Sequence, residues 1–93
     1  MKFNGKLLQT IRSNYGLSRQ DLAEIIPDVS TRHAVARWER GETPRLDVIS
    51  CMINIFPELR SDTTNFGLLC YDELLEQKIE EARQKFAEKV VDL

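Results

Sequence analysis

Four short apolar segments, each closed by a glycine or a proline, occupy the first 57 residues of this 93-residue chain. Apolar residues in these segments recur at steps of three and four, which is the spacing of an α-helix, and strand-like alternation is almost absent. Glycine favours the left-handed conformation that ends helices, and proline cannot continue one. The sequence therefore predicts a bundle of short helices, in the all-α class. The closing residues are Gly16, Pro27, Gly41 and Pro57.

Residues that cap helices precede the first three segments. These caps are Asn4, Ser18 and Thr31. Asp21 follows Ser18 by three residues, which is the spacing of a capping box. Pro44 is expected at the first position of a fourth helix that ends before Pro57.

A long amphipathic run begins at about residue 65 and continues to residue 93. Its apolar residues recur about every 3.5 positions, although Asp72 and Lys89 occupy two of the seam positions. The seam residues are Leu68, Leu75, Ile79, Ala82 and Phe86. Two interpretations stay open: the helix packs on its own chain, or it pairs with a second copy in a homodimer. We therefore divide the chain into a domain over residues 1–60 and a C-terminal helix, a candidate dimerisation element, over residues 61–93.

Charge is distributed unevenly along the chain, whose net charge is only −2. Residues 1–45 carry eight Lys and Arg against five Asp and Glu, a net charge of +3, whereas residues 46–93 carry five against ten, a net charge of −5. This asymmetry fits a protein that meets a polyanion with one end only.

Other sequence features argue against several classes of protein. No apolar stretch is long enough for a signal peptide or a membrane span, so we expect no membrane partner. Cys51 and Cys70 lack C-x-x-C spacing, which favours reduced, buried thiols in a cytoplasmic protein. The chain has one histidine and no zinc-ligand spacing, and no nucleophile has an obvious base. We therefore expect neither an enzyme nor a cofactor or metal.

The segment STRHAVARWERGETPR, residues 30–45, holds four arginines and the only histidine and tryptophan of the chain. On a helix that starts after Thr31, the residues Ala34, Val35 and Trp38 share one side. The opposite side is almost wholly basic. Its residues are Arg32, His33, Ala36, Arg37 and Arg40.

A short helix, a tight connector and a second short helix with a basic outer side are typical of a helix-turn-helix, whose second helix enters the major groove of DNA. Arginine can donate two hydrogen bonds to O6 and N7 of guanine, and the free N–H groups at helix starts can hold phosphates. The predicted base contacts are Arg32, His33, Ala36 and Arg37. The predicted backbone contacts near the helix starts are Ser18, Arg19, Gln20 and Thr31, and Lys6 is a further candidate.

The run GLSRQDLAEIIPDVSTRHAVARWERGETP resembles the lambda-repressor-like, XRE-type helix-turn-helix family, over about residues 5–57. The family pattern is roughly G-L-S/T-Q-x-x-L-A, a turn, an apolar residue, then W-E-x-G and a proline. The matching residues are Gly16-Leu17-Ser18, Leu22-Ala23, Val35, Trp38-Glu39, Gly41 and Pro44. Arg19 stands where the family has glutamine. The turn is two residues longer than usual, and Pro27 and Asp28 replace its glycine.

The resemblance implies a lambda-repressor-like helix-turn-helix domain of four to five helices, here followed by the long C-terminal amphipathic helix. It implies that Arg12 pairs with Glu39 inside the fold. It also implies that the loop after the third helix lies along the sugar-phosphate backbone of DNA. The loop residues concerned are Arg40, Thr43 and Arg45.

We therefore expect a small bacterial or phage transcriptional regulator, cytoplasmic and nucleoid-associated, that binds a palindromic double-stranded DNA operator as a homodimer and represses transcription. One alternative is the antitoxin of a toxin–antitoxin pair, which represses its own operon and binds a toxin as its protein partner. The alternative from another class is a protein-interaction module that uses the helical scaffold without specific DNA binding.

Overall fold

The computed structural model describes residues 3–28, 31–59 and 73–90. These residues form five α-helices and one short 3-10 helix, and the described ranges contain no strand, as predicted for the all-α class. The α-helices are α1 (Gly5–Asn14), α2 (Arg19–Ile25), α3 (Arg32–Glu39), α4 (Leu46–Ile55) and α5 (Glu73–Val90), and the 3-10 helix spans Pro57–Leu59.

Helices α1, α2 and α3 begin at their predicted caps. The side chain of Asn4 accepts a hydrogen bond from the backbone of α1 at 3.1 Å. Ser18 Oγ accepts from the N–H of Asp21 at 3.0 Å while Asp21 Oδ2 accepts from the N–H of Ser18 at 2.9 Å, so the capping box is complete. Thr31 caps α3 in the same way as Asn4 caps α1. These bonds satisfy N–H groups that would otherwise lack a partner at each helix start.

Two glycines end α1 and α3 in the predicted manner. Gly16 has φ +72° and Gly41 has φ +107°, which lie in the region that glycine adopts most readily. The N–H of the residue after each glycine donates to the carbonyl oxygen five residues earlier, at 3.1 Å after α1 and 3.0 Å after α3. This is the Schellman arrangement, which satisfies the last carbonyl groups and turns the chain sharply.

The predicted start of the fourth helix at Pro44 is wrong by two residues. Arg45 has an extended backbone, with φ −63° and ψ 157°, so α4 begins only at Leu46. Pro44 is buried and belongs to the loop before the helix. The predicted end holds, because α4 stops at Ile55 and Pro57 begins the 3-10 turn.

The hydrophobic core lies between all five helices. Helix α3 packs against α1 and α2, and α5 packs against α2 and α4. The largest fully buried apolar side chains are Leu8, Leu22, Ile25, Ile26, Val35, Ile49, Met52, Phe56 and Leu59. No helix in the described ranges has the length and apolar character that crossing a membrane requires.

Helix α5 packs on its own chain through the residues predicted to form a dimer seam. Ile79 and Ala82 are buried, and Leu75 and Phe86 are partly buried against the same core. The ring of Phe86 meets those of Tyr15 and Phe56 edge-on, with centroids 5.3 and 5.5 Å apart. Two of the four, Ile79 and Ala82, are therefore covered within the chain, while Leu75 and Phe86 remain partly exposed. The fifth predicted seam residue, Leu68, lies outside the described residues.

Candidate nucleic-acid interface

Helix α3 turns its apolar side into the core and its basic side outward. Val35 is fully buried and Trp38 is 5% exposed, so these two side chains fix the rotation of the helix. The strip predicted to contact bases lies on the opposite side. Its residues Arg32, His33 and Arg37 are exposed, and Ala36 is partly exposed.

Asp28 supplies the left-handed residue of the connector between α2 and α3, with φ +65°. Aspartate adopts this conformation more readily than most residues, so position 28 does not require a glycine. Lys78 Nζ of α5 lies 2.9 Å from Asp28 Oδ2 and 3.4 Å from Asp47 Oδ2 of α4. The hydrogen bond from Lys78 lowers the pKa of Asp28, and the same bond raises the pKa of Lys78. The connector is thus tied to two other helices.

A second lysine of α5 holds α2. Lys89 Nζ lies 3.2 Å from Glu24 Oε1 and 3.5 Å from Asp21 Oδ1. The hydrogen bond from Lys89 lowers the pKa of Glu24, whereas the pKa of Asp21 is lowered first by the backbone N–H of Ser18. Helix α5 therefore binds both the connector and α2 through ion pairs.

The predicted ion pair between Arg12 and Glu39 is present, and a second arginine joins it. Arg12 Nε donates to Glu39 Oε2 at 2.7 Å, and Arg12 Nη1 donates to the carbonyl of Leu17 at 2.7 Å. Arg19 Nε donates to the other oxygen, Glu39 Oε1, at 2.9 Å. The Glu39 side chain is 2% exposed and that of Arg12 11%, so this carboxylate joins α1, α2 and α3 from inside the fold.

Arg19 is therefore both a structural residue and an exposed one. Its side chain is 46% exposed. Arg19 Nε makes the contact with Glu39, and no hydrogen bond joins Nη1 or Nη2 to another described residue. The predicted backbone contact from this side chain is compatible with its place in the fold.

Arg37 makes an ion pair that the sequence does not reveal. Its Nε donates to Glu42 Oε2 at 3.0 Å, and both side chains are about half exposed, at 51% and 54%. Glu42 follows the end of α3, so the pair does not have the i,i+4 spacing that would have identified it in a helix. Only the turn at Gly41 brings the two side chains together.

An open cleft of about 330 Å³ lies beside α3 and the loop that follows it. It brings together four predicted DNA-contact residues, Thr31, Arg37, Thr43 and Arg45. Asp28 and Glu42 also line the cleft, and Trp38 and Val48 contribute apolar surface. Arg45 Nε lies 3.3 Å from Asp47 Oδ1.

The other predicted contact residues stand on the surface outside this cleft. Ser18 caps α2, and Gln20 donates to Glu24 at 3.3 Å. Lys6 and Arg40 are exposed. These four residues, with Arg32, His33 and Ala36, are not among the residues that line the cleft.

Metal-ligating groups do not cluster in the described ranges, where no three or more His, Cys, Asp or Glu side chains could hold a metal ion together. Cys51 is a free, buried thiol, and burial raises its pKa to about 11. Cys70, the other predicted buried thiol, lies outside the described residues.

Comparison with known proteins gives no match to a family model, a curated protein or a solved structure. The resemblance to the lambda-repressor-like family therefore rests on the motif residues alone and stays a prediction.

Proposed function

We propose that this protein binds double-stranded DNA with sequence specificity and represses transcription, with α2 and α3 acting as a helix-turn-helix. The observation that carries the proposal is the orientation of α3. Val35 and Trp38 are buried under the helix, while Arg32, His33 and Arg37 are exposed on its outer side. A helix held in this way can enter a major groove and bring guanidinium groups to base edges.

Side chains of the kinds that bind phosphate lie beside α3 and at the start of α2. Arg45, Thr31 and Thr43 line the cleft at one side of α3, and Arg19 is exposed at the start of α2. Arginine and hydroxyl side chains commonly bind the phosphate backbone and fix the register of a protein on the duplex. Helix α5 carries five glutamates against four lysines and arginines, so it offers phosphates no net attraction, and the proposal keeps it outside the DNA interface.

The proposed repressor acts as a homodimer in the cytoplasm, where two recognition helices about 34 Å apart would require a roughly palindromic operator. Ile79 and Ala82 cannot contribute to a dimer contact while they stay in the core, whereas Leu75 and Phe86 keep part of their surface exposed. Leu46 and Leu74, at 52% and 61% exposed, are the large apolar side chains that the described part of the chain leaves on its surface.

Selection of bound sequences from a random duplex pool at about 0.15 M salt tests this function. Arg32→Ala and Arg37→Ala are run beside the parent, with Arg83→Ala of α5, an equally exposed arginine, as the matched control. We expect a palindromic motif for the parent and the control, relaxed at particular positions in the two α3 variants. A folded parent that enriches no motif would contradict sequence-specific binding and favour the protein-interaction alternative.

A further inference from the structure

Arg37 and Glu42 are joined twice. The backbone N–H of Glu42 donates to the carbonyl of Arg37 at 3.0 Å, because the left-handed Gly41 folds the chain back over the last turn of α3. The side chains close the second link, from Arg37 Nε to Glu42 Oε2 at 3.0 Å. The backbone hydrogen bond holds the Cα of Glu42 close to Arg37. The Glu42 side chain therefore loses little conformational freedom when its carboxylate accepts from Nε.

This ion pair adds little to the stability of the fold. Both side chains are about half exposed, and ion pairs between exposed side chains add little to stability because solvent screens them. The Arg12–Glu39 pair, in contrast, lies inside the fold. The main effect of Glu42 is therefore expected on the position of the Arg37 side chain.

Glu42 restricts the guanidinium of Arg37 without occupying its far end. Among the described residues, the contact uses Nε, and Nη1 and Nη2 have no protein acceptor. Those two nitrogens can donate to two acceptors that lie side by side, which guanine offers at O6 and N7. An arginine already ordered in the free protein loses less conformational freedom on binding than a mobile one.

The charge of Glu42 would also lower the affinity for DNA in general. Its carboxylate lines the same cleft as Arg45, Thr31 and Thr43, where the proposed function places phosphates. A negative charge at this position weakens binding to every duplex alike, so the charge alone lowers general affinity and leaves discrimination between bases unchanged. Discrimination comes from the ordered Arg37 guanidinium, which gains its two hydrogen bonds only at a guanine.

We propose that Glu42 is a positioning residue that holds Arg37 to recognise one guanine in each half of the DNA site. This inference rests on the proposed DNA-binding function and adds to it the identity of a base and the residue that selects it.

The test measures affinity for the selected duplex and for versions in which that guanine pair is replaced by each other base pair. The proteins are the parent, Arg37→Ala, Glu42→Ala, Glu42→Gln and the double variant Arg37→Ala/Glu42→Ala. We expect the parent to prefer guanine about tenfold or more. We expect Arg37→Ala to lose the preference, Glu42→Ala to reduce it to about threefold or less, and Glu42→Gln, which keeps an acceptor, to lie between.

Two further results distinguish the effect of Glu42 on the position of Arg37 from the effect of its charge on DNA affinity. Glu42→Ala and Glu42→Gln should both bind random duplex more tightly than the parent. Glu80→Ala on α5 removes a glutamate from an arginine pair of similar exposure, with Arg83, and should change neither property. Thermal unfolding of all single variants should match that of the parent within a few degrees, about the effect of 1 kcal/mol.

Three outcomes would overturn the inference. A Glu42→Ala variant with the full guanine preference of the parent would show that the carboxylate does not position Arg37. If Glu42→Ala lowers the guanine preference of the parent and of Arg37→Ala by the same factor, Glu42 acts through a residue other than Arg37. A parent that selects no sequence would overturn the proposed function and this inference together, whereas the first two outcomes leave the proposed function intact.

Discussion

Glu39 Oε2 lies 2.7 Å from Arg12 Nε, and this carboxylate, only 2% exposed, is the point at which three helices are joined. Arg19 approaches its other oxygen at 2.9 Å. One buried negative charge thus has two positive partners, of which Arg12 is largely buried and Arg19 half exposed. The helix that carries the proposed base contacts is fixed at its last residue by this carboxylate.

Removal of Arg12 is expected to cost more stability than removal of Arg19. Breaking a buried pair costs about 3–5 kcal/mol, and we expect Arg12→Ala to fall near the lower end because Arg19 still faces Glu39. Arg19→Ala should cost about 1 kcal/mol or less, since that arginine is half exposed. Urea unfolding of both variants and of the double variant measures these changes.

The double variant decides whether the two arginines share the charge. Each arginine compensates Glu39 in the absence of the other, so the double variant should lose more stability than the two single losses together. Additive losses would show that the two arginines act on Glu39 independently and do not compensate for each other.

Gly5→Ala is expected to destabilise the fold, although alanine is the better helix former. A Cβ at Gly5 would overlap the backbone carbonyl oxygens of Trp38 and Glu39, which cannot move without shifting α3. Alanine gains about 1 kcal/mol over glycine in an exposed helix, but overpacking typically costs about 1–3 kcal/mol or more. Ser13→Ala on the exposed side of α1 is the control and should not destabilise. Equal or higher stability of Gly5→Ala in urea would contradict the close approach of α1 to α3.

Acid should weaken the fold in part through Asp28. The hydrogen bond from Lys78 lowers the pKa of this carboxyl below its ordinary value of 3.8, so the unfolded chain takes up the proton first as the pH falls. The stability that the ionised group contributes is present above that ordinary value and is lost as the pH falls through the lower folded pKa.

The variant Asp28→Asn tests this pH dependence. Asparagine also tolerates a positive φ, so the connector should keep its conformation. Urea midpoints between about pH 5 and pH 2 should fall less steeply for Asp28→Asn than for the parent. Glu76→Gln, which removes an exposed carboxyl with no ion pair in the described ranges, should follow the parent. Parallel curves for Asp28→Asn and the parent would contradict the contribution of the Lys78 contact.

Cys51 is expected to resist alkylation in the folded protein. Burial raises the pKa of its thiol to about 11, so at pH 8 its reactive thiolate is roughly 100-fold scarcer than in a free cysteine. In a Cys70→Ser variant, iodoacetamide should label Cys51 slowly under native conditions and rapidly in urea. Equal rates in both conditions would show that the thiol is not enclosed by the core.

The local structure of the first three helices could be predicted because short-range chemistry decides it. Asn4, Ser18 and Thr31 cap the helices from within their own turns, and Gly16 and Gly41 end two of them. The start of α4 was missed because Pro44 tolerates both a helix start and an extended loop. In the structure Pro44 is buried in the loop and Arg45 after it has an extended backbone, so the helix begins at Leu46.

The arrangement of the site depended on contacts between distant parts of the chain. The sequence identified the basic strip of α3 from helical spacing, and the pair of Arg12 with Glu39 from the motif. It did not reveal the ion pairs of Arg19 with Glu39 and of Lys78 with Asp28. The partners are separated by 20 and by 50 positions, and no local pattern links residues so far apart. Helix periodicity identified the apolar side of α5, but it could not tell whether that side meets its own chain or a second copy.

The most direct test of DNA binding by α2 and α3 is a titration followed by amide chemical shifts. A random pool of duplexes of about 20 base pairs is added to the protein at low salt. We predict shifts at the starts of α2 and α3, along the outer side of α3 and around the cleft that holds Thr43 and Arg45, with the amides of α5 unmoved. An absence of shifts in the folded protein, or shifts concentrated on α5, would contradict the proposed DNA-binding surface.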